Sequence, residues 1–482
     1  MKTRIEKIYT HALEILQEVG IQLKHPDTLV MLKDKGVRID GDLAYFKPDQ
    51  IESWIGHAPE SFTFSARNPD NNATIGGDHV NFVSGYGCPT IYNLDGSSRD
   101  ALLSDYVRFA KLIHQSPHFS INGGILAQPS DMPADLSHMV MVYAALMASD
   151  KCLLGMPGNT AQMTQIMEMA ALVFGGRQAL EKQSRVLTMI STISPLLMDK
   201  MALDSIKVSA EYNQPLIISP APAAGTTGPI NLAGNMALAT AEALAGIAIS
   251  QMIRPGLPVI FGLQCAGVDL QTANISIGSP AHALMARHTN ELARLLKLPS
   301  RCGGSNTDAL VVSPQSGYEG MLSLLNAMQN RVNLVVHSAG ILDSFAAISY
   351  EKFIIDLEMI DMITYYLSDF DINDDTLNLD LIRDVGPGGQ FLTHMDTMKK
   401  CRTHSWTPGI GVRGNMDRKT ALDQYNANIQ NTMNQMLESY RRPEFDPVIK
   451  AELDQYLVGQ GVPEPILSTI EHLITNNEEA IP

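Results

Sequence analysis

The side chains of this chain that could take part in chemistry are a histidine and a set of aromatic rings, carboxylates and amides, placed just after short apolar runs. The histidine, His337, follows the apolar run 334–336 and precedes the small-residue turn 338–340, after which a helical pattern begins. A polar residue delivered by a buried strand into a tight turn is typical of the active face of barrel enzymes. A hydrogen-bonded core histidine explains His337, taken alone, equally well.

Aromatic and acidic side chains occupy the same kind of position. Aromatic faces beside carboxylates suit a cation that cannot donate hydrogen bonds, such as a quaternary ammonium, which each ring attracts by about 0.5–2 kcal/mol. Core packing explains any one of the aromatic residues more simply, and Glu351 beside Lys352 could lie on a helix surface. The set comprises Tyr86, Tyr92, Phe261, Tyr318, Phe345 and Tyr350 with Asp308, Glu319 and Glu351.

Several chemistries lose support because their motifs are missing. The sequence after the apolar runs contains no GxGxxG, GxxxxGK, HExxH or GxSxG, which argues against nucleotide cofactors, zinc proteolysis and serine hydrolysis. The five cysteines form no CxxC pair and no Cys/His cluster at zinc spacing. We therefore expect that this chain alone binds no metal and no organic cofactor.

Charge and hydropathy limit the partners and the compartment. The 51 acidic residues against 35 Lys and Arg give a formal net charge of -16, so neither nucleic acid nor an anionic membrane is an expected partner. The first 20 residues are amphipathic and charged throughout, unlike a signal peptide, and the apolar stretch 236–252 contains Glu242, which indicates a buried helix. Scattered cysteines in odd number are typical of a reduced, cytoplasmic protein.

Eight short apolar runs must position the candidate side chains, with mostly helical patterns between them. Eight strands, each followed by a helix, predict an α/β fold of the (β/α)8 TIM barrel type over residues 79–368. Residues 1–78 are expected to form an N-terminal α+β lead-in, and residues 369–482 a C-terminal helical extension that caps the barrel. The runs are 80–84, 119–123, 151–156, 186–191, 215–219, 257–263, 298–303 and 332–338.

In a barrel, the residues that follow each strand converge on one face. This geometry predicts one cavity for a group of side chains that lie at or after the strand ends. The Met-rich stretches 139–147 and 163–169 could form either core or an interface, and we expect a homo-oligomer. The side chains predicted to open on the cavity are Tyr86, Gln264, Asp308, Tyr318, Glu319 and His337.

Five segments of the chain resemble one known family, the trimethylamine methyltransferases. They are AGTTGPINLAGNMALATAEALAGIAISQMIRPGLPVIFG at 224–262, the pair CGGSNTDA at 302–309 and QSGYEG at 315–320, SAGILDSFAAISYEKFIID at 338–356, and VGPGGQFL at 385–392. The match runs in order from about residue 80 to past residue 410. It implies a barrel protein that moves a methyl group from an amine to the cobalt of a corrinoid carried on a separate small protein.

The resemblance also bears on the substrate. The trimethylamine branch of the family carries pyrrolysine after the Ala-Gly of the last-strand turn, where this chain has Ile341. The chain is therefore similar to the non-pyrrolysine branch, whose members demethylate quaternary amines such as glycine betaine, proline betaine or carnitine. The chain departs from the family pattern at Asp396, where a His-Thr pair is expected, so no role is carried over to that position.

This chemistry agrees with the residues themselves. A quaternary ammonium loses its methyl group to Co(I) and leaves as a neutral tertiary amine, so the enzyme needs no general acid and works by positioning. We assign no catalytic residue, and Ile341 is expected to line the cavity beside the N-methyl groups. The expected substrate-binding residues are Tyr86, Tyr92, Phe261, Gln264, Asp308, Tyr318, Glu319, His337, Ile341, Phe345 and Tyr350.

Two other hypotheses remain open at this point. The chain could be a non-catalytic barrel that binds betaines or the corrinoid protein. It could also be a lyase or isomerase that uses His337 and Glu319 as acid and base. Methylation of cob(I)alamin by a panel of methylated amines distinguishes both from a methyltransferase.

Overall fold

A closed barrel of eight parallel strands forms the centre of the protein in a computed structural model that describes residues 3–476. The strands are β1 Asn81–Phe82, β2 Ile121–Gly123, β3 Cys152–Leu154, β4 Val186–Ile190, β5 Leu216–Ile218, β6 Val259–Phe261, β7 Arg301–Gly303 and β8 Leu334–Val336. Strands β2 to β6 form one parallel sheet, and β7, β8 and β1 form another. Parallel bridges from Phe82 to Phe119 and from Phe261 to Ser300 join the two sheets on both sides, so the ring closes.

One long helix follows each barrel strand and covers the ring. Side chains of Asn159, Asp199 and Ser279 cap three of these helices by accepting backbone N–H groups of the first turn, which explains where those helices begin. The helices are α1 Leu103–Gln115, α2 Ser137–Ala148, α3 Thr160–Val173, α4 Lys200–Glu211, α5 Leu232–Ile253, α6 Pro280–Leu295, α7 Pro314–Gln329 and α8 Tyr350–Leu367, with a short helix Arg177–Leu180 after α3.

Three of these helices, α2, α3 and α5, place many apolar side chains in the core. Among residues 3–476, α5 is the one helix long and apolar enough to cross a bilayer, and 94% of its apolar window is buried inside the protein. The methionines of the Met-rich helices α2 and α3, such as Met139 and Met163, are also buried. Those two helices therefore place their methionines in the core and not on an exposed face.

The lead-in closes the barrel at the amino ends of its strands. A bridge from Phe64 to Ser184, just before β4, fixes a hairpin there, and Phe64 and Ile75 pack in the same buried cluster as inward-facing barrel residues such as Ile260. The lead-in consists of helices Arg4–Glu18, Pro26–Asp34 and Pro48–Ile55, strands Ile21–Leu23, Arg38–Asp40 and Leu43–Tyr45, and the hairpin Ser61–Phe64 and Ala73–Gly76 with the 3-10 turn Pro69–Asn71. The short strand Leu197–Met198 pairs with Ile21–Leu23.

The loops at the carboxyl ends of the strands form their own small sheets. Strands Ile341–Leu342, Ala347–Ile348, Thr90–Tyr92 and Ser98–Asp100 join the loops after β8 and β1. The hairpin Gly267–Asp269 and Asn274–Ser276 follows β6. These loops surround the carboxyl end of the barrel, where ligands bind in this architecture.

The chain after α8 is helical. Three short helices, Asp374–Leu377, Leu379–Val385 and Met395–Lys400, come first. Three longer helices, Arg418–Ser439, Pro447–Gly459 and Glu464–Thr475, then pack along the outside of the barrel helices, where residues such as Met433 and Leu457 join the core.

The structure confirms the predicted (β/α)8 barrel. Each of the eight predicted apolar runs contains or overlaps one barrel strand, although several strands are shorter than predicted; β1, for example, covers Asn81–Phe82 within the predicted run 80–84. The last lead-in strand ends at Gly76, and α8 ends at Leu367.

Candidate functional site

A buried arginine lies at the centre of the barrel end. Arg301 is on β7, and its guanidinium Nη1 donates hydrogen bonds to Gln264 Oε1 and, at 3.3 Å, to Ser219 Oγ. Gly262 on the neighbouring strand makes room for it, because a Cβ there would lie 2.9 Å from the Arg301 Cβ. Since successive residues of a strand alternate between its two faces, Arg301 faces the interior while Cys302 packs outward.

Arg301 is a cation without a carboxylate partner. The residue is 1% exposed, and burial lowers the pKa of Arg301 to about 10, so it stays charged at neutral pH. No ion pair joins it to an acidic side chain among residues 3–476. An uncompensated buried charge costs several kcal/mol, and sites usually accept this cost to bind an ion of opposite sign.

His337 lies beside this arginine as a neutral imidazole. Burial lowers the pKa of His337 well below its ordinary value, and the positive charge of Arg301 lowers it further. Its ring centroid is 4.4 Å from that of Phe345 and 6.4 Å from that of Tyr86. His337 also adopts a left-handed backbone with φ of 60°. Three rings therefore meet, and two of them, Tyr86 and His337, interact electrostatically with the guanidinium.

His282 and Asn306 form a second polar layer. His282 Nδ1 donates to the carbonyl oxygen of Cys265 at 2.7 Å, which leaves Nε2 as an acceptor for the Asn306 amide at 3.0 Å. Burial lowers the pKa of His282, in agreement with this neutral tautomer. The Asn306 amide group is thereby oriented, and its Oδ1 is buried with no hydrogen-bond partner.

Buried polar atoms without partners concentrate in this cluster. A buried polar atom left without a hydrogen bond costs about 1–3 kcal/mol, so native proteins contain few of them, and several together indicate a ligand site. These atoms belong to residues of the cluster that are linked by the hydrogen bonds, ring contacts and electrostatic interactions described above. The atoms are Tyr86 OH, Gln264 Nε2, Arg301 Nε, Asn306 Oδ1 and His337 Nδ1.

The turn 343–345 presents Phe345 to the cluster in a strained conformation. Asp343, Ser344 and Phe345 have φ values of 49°, 50° and 78°, a left-handed backbone that costs about 1–3 kcal/mol for each such residue. Backbone bonds hold the turn in place: Ser344 N donates to Thr307 O at 3.1 Å, and Asp343 N donates to Ala309 O at 2.9 Å. Strain of this kind is stored where it fixes a functional side chain.

Asp308 and Glu319 support this turn and the loop beneath it. Asp308 accepts hydrogen bonds from Ser344 Oγ at 2.8 Å and from Ile277 N at 2.7 Å. Glu319 accepts from Thr307 Oγ1 at 2.6 Å and from Asp308 N at 2.9 Å. Both carboxylates are therefore saturated with loop donors, and the structure places them around the cluster and not inside it.

A buried ion pair holds the other side of the last-strand turn. Asp356 accepts a hydrogen bond from Gly340 N at 2.8 Å and is paired with Lys352, which also donates to Ser305 Oγ at 2.7 Å. All three side chains are fully buried. The pair therefore fixes the backbone between His337 and Ile341 from behind.

The structure brings together four of the predicted substrate-binding residues: Tyr86, Gln264, His337 and Phe345. Tyr318, in contrast, is 65% exposed on α7 and does not enter the cluster. Helix periodicity turns Tyr318 outward while Glu319 points inward, so Tyr318 lies outside the cluster and its role in substrate binding stays a prediction.

Phe261 and Tyr350 also lie outside the cluster, which differs from their expected position. Phe261 packs in the core behind the barrel, because Ile260 and Gly262 are the inward-facing residues of that strand. Tyr350 donates to Asp105 Oδ1 at 2.7 Å and stacks on Phe109 at 4.4 Å, again within the core.

Ile341 and Tyr92 lie on the small sheet beside the barrel end. Ile341 is fully buried and pairs with Ile348 across the hairpin, and a Cβ on Gly85 would come within 3.1 Å of its Cδ1. Tyr92 is half-buried opposite Ser98. Ile341 therefore packs within the small sheet whose hairpin carries the turn 343–345.

Sequence reasoning missed Arg301, the central residue of the cluster. The sequence did contain a signal for it, because Arg301 is a basic residue within the apolar run 298–303. It also lies two residues before Gly303, so the two residues are on the same, inward face of the strand. A basic residue inside a buried strand is rare enough to indicate function.

No group of three or more His, Cys, Asp or Glu side chains that could hold a metal ion occurs among residues 3–476. All five cysteines are free, and burial raises the pKa of the thiols of Cys88, Cys265 and Cys302, so these three are unreactive thiols. The chemistry that the cluster offers is therefore binding: a buried cation and amide donors on one side, and aromatic faces on the other.

Comparisons with known proteins place this chain among methyltransferases. The chain is 38% identical over 460 residues to the glycine betaine methyltransferase of Desulfitobacterium hafniense, covering 95% of this chain and 96% of that one. It is 26% identical to the proline betaine:corrinoid methyltransferase of Eubacterium limosum, covering 94% and 96%, and 27% identical to the L-carnitine:corrinoid methyltransferase of the same organism, covering 81% and 82%.

Among solved structures, the monomethylamine methyltransferase of Methanosarcina barkeri has a TM-score of 0.51 at 11% identity, covering 90% of this chain and 87% of that one, and it supports the barrel fold. The family model described as Trimethylamine methyltransferase (MTTB) matches residues 1–460. Match length and identity together establish that the chain belongs to the trimethylamine methyltransferase family.

Proposed function

We propose that this protein transfers a methyl group from a zwitterionic quaternary amine, with glycine betaine as the first candidate, to the cobalt of a corrinoid carried on a separate protein. Three of its relatives are named for glycine betaine, proline betaine and L-carnitine. The observation that carries the proposal is Arg301, a fully buried guanidinium that lacks a carboxylate partner and lies beside aromatic rings.

The carboxylate of a betaine supplies the charge that Arg301 lacks. A carboxylate accepts charge-assisted hydrogen bonds from a guanidinium, each about twice as strong as a neutral one. Arg301 Nε and Gln264 Nε2 are both buried donors without partners. Binding a carboxylate between them satisfies these donors and offsets the cost of burying the arginine.

The trimethylammonium end then meets the rings. Cation–π attraction to Tyr86 and Phe345 contributes about 0.5–2 kcal/mol per ring, and His337 adds an uncharged face because its pKa is low. A cation that lacks a carboxylate is repelled by Arg301, by about 3 kcal/mol at a separation of about 6 Å with an effective dielectric constant near 20. The site therefore favours betaines over choline, tetramethylammonium or protonated trimethylamine.

The residues of this chain position the methyl group and take no part in proton transfer. When the N–CH3 bond breaks, its electron pair stays on nitrogen, and the product is a neutral tertiary amine. Cob(I)alamin-type cobalt supplies the nucleophile and is delivered by the partner protein as a co-substrate. Neutral His337 and the closed polar cluster fix the ammonium group and exclude water, which is catalysis by orientation.

The corrinoid protein docks on the loops around the barrel end. Ile230 and Leu270 both approach Gly225 and are 58% and 64% exposed, and Leu310 is 60% exposed. The hairpin next to them contacts the turn that carries Phe345, because Ser344 Oγ donates to Ile275 O at 3.0 Å. Exposed apolar side chains grouped on one surface are typical of a protein-binding site.

Free cysteines throughout the chain suit a reducing compartment, and we assign the protein to the cytoplasm.

Anaerobic methylation of the corrinoid protein, or of free cob(I)alamin, tests the function across glycine betaine, proline betaine, carnitine, choline, tetramethylammonium and trimethylamine. The expected result is turnover of one or more betaines and none of the three amines without a carboxylate. Preference for choline or tetramethylammonium would refute the role given to Arg301, and betaine binding by calorimetry without methylation would identify a binding protein.

A further inference from the structure

The segment 364–419, which we name the excursion, has almost no core of its own. Ile410 is its one buried residue, and its three short helices, Asp374–Leu377, Leu379–Val385 and Met395–Lys400, bury none. Helices of four to seven residues are not stable in water without packing, because nucleation costs more than so few hydrogen bonds return. The excursion therefore requires a surface to pack against that one copy of the chain does not provide.

The excursion also exposes a large apolar area. Thirteen of its large apolar side chains are exposed by 39–78%. At roughly 100 Å² each they expose on the order of 1,000 Å², above the largest patch of a typical monomer and above the about 800 Å² per partner of a stable interface. They are Tyr365, Tyr366, Leu367, Phe370, Ile372, Leu377, Leu379, Ile382, Phe391, Leu392, Met395, Met398 and Met416.

Charge divides the excursion into two opposite halves. Residues 369–384 contain six aspartates and one arginine, whereas residues 399–419 contain six lysines and arginines and one aspartate. In a two-fold symmetric dimer the same patch of each copy meets itself, so that the acidic half of one copy faces the basic half of the other. A chain with a net charge of -16 has few other basic stretches that could serve this purpose.

We infer that the excursion is an isologous interface between two copies of this chain. Its apolar side chains form the buried centre, and its acidic and basic halves pair across the two-fold axis. The interface gives the short helices the packing that they lack within one copy. The excursion starts in the last turn of α8, at the end of that helix opposite the turn 338–340, so the inference does not depend on the substrate or on the corrinoid protein.

The first test removes the apolar centre. Phe370 and Ile372 are 78% and 73% exposed, so Phe370→Asp with Ile372→Asp should leave the barrel folded and convert the dimer into a monomer. Val30→Asp is the matched control, since Val30 is 62% exposed on the lead-in helix Pro26–Asp34. Analytical ultracentrifugation at micromolar concentration gives the mass, and circular dichroism with thermal melting confirms folding.

The second test exchanges the charges. One variant carries Asp371→Lys, Asp374→Lys and Asp375→Lys, and the other carries Lys399→Glu, Lys400→Glu and Arg402→Glu. Each variant alone repels its own copy and should sediment as a monomer, whereas an equimolar mixture should form a heterodimer.

Three outcomes would overturn the inference. The wild-type chain could be monomeric at micromolar concentration, or the double aspartate variant could keep the wild-type mass, or the mixture of charge variants could remain monomeric. A wild-type monomer that binds the corrinoid protein, and loses it with Phe370→Asp and Ile372→Asp, would assign the excursion to that partner instead.

Discussion

Replacing Arg301 with methionine separates a ligand-binding arginine from a structural one. Methionine keeps most of the volume and removes the charge. For betaine, removal of one partner of a buried, hydrogen-bonded charge pair costs about 2–5 kcal/mol, so kcat/KM should fall roughly 30- to 5,000-fold. Choline should not lose affinity, because it makes no bond to the guanidinium and escapes the repulsion. The preference for betaine over choline should therefore collapse.

The free protein should respond differently from the complex. The hydrogen bonds to Gln264 and Ser219 are lost at a cost of about 1–3 kcal/mol each, but the desolvation cost of the buried cation, several kcal/mol, is removed as well. The two effects nearly cancel. In a chain of this length 1 kcal/mol corresponds to about 1 °C, so the melting temperature should stay within about 3 °C of wild type.

The assay pairs anaerobic corrinoid methylation with calorimetric melting, with and without betaine. Wild type should melt higher with betaine present, and the Arg301→Met variant should lose that shift. Arg331→Met is the matched control, because Arg331 is exposed and paired with Asp78. A variant that keeps the wild-type KM for betaine, or one that loses activity only in parallel with a large fall in melting temperature, would refute the reasoning.

Three further predictions follow from the same geometry. Phe345→Ala should raise the KM for betaine about 2- to 30-fold by removing one cation–π face, while Phe345→Tyr should keep it, as initial rates will show. Ile341→Lys should lower the melting temperature and the methylation rate together, because it buries an unpaired charge in the sheet, whereas Ile341→Leu should retain most of both. If Ile341→Lys instead keeps the wild-type melting temperature and loses the methylation rate, Ile341 contacts the substrate. Because the pKa of His337 is low in the native protein, the unfolded chain takes up a proton below about pH 6.5 that the native protein does not, so stability falls as the pH drops. In the variant His337→Asn, the fall in the free energy of unfolding with decreasing pH should be smaller by up to about 1.4 kcal/mol per pH unit. Thermal melting between about pH 5 and 7.5 measures this difference.

Periodicity in the sequence was sufficient for the architecture. Apolar runs such as 257–263 and 332–338 recur with helical patterns between them, and the barrel follows from that count alone. Residues that follow a strand in a fixed turn, such as Tyr86 and His337, were expected to lie close together, and their ring centroids are 6.4 Å apart. Local sequence determines both features, since a strand must end where its small or polar residues begin.

Side-chain direction was harder to predict than position. Phe261 is at a strand end, yet it points to the outer core, because a one-residue error in register exchanges the inner and outer faces of a strand. Asp308 and Glu319 were expected to face a cation, but donors from three loops saturate them. Contacts between loops distant in sequence cannot be deduced from spacing, and they decide which carboxylate remains free.

The position of the charges explains how an acidic protein can select a zwitterion. A net charge of -16 attracts cations to the surface, but carboxylates inside the cavity would bind any cation without discrimination. The structure instead satisfies Asp308 and Glu319 with loop donors and leaves Arg301 unpaired. A simple cation gains the rings but suffers repulsion from the guanidinium, and a simple anion gains the guanidinium but leaves the rings without a cation. Only a ligand that carries both charges at a fixed separation gains from both, so selectivity results from combining one uncompensated cation with neutral aromatic faces.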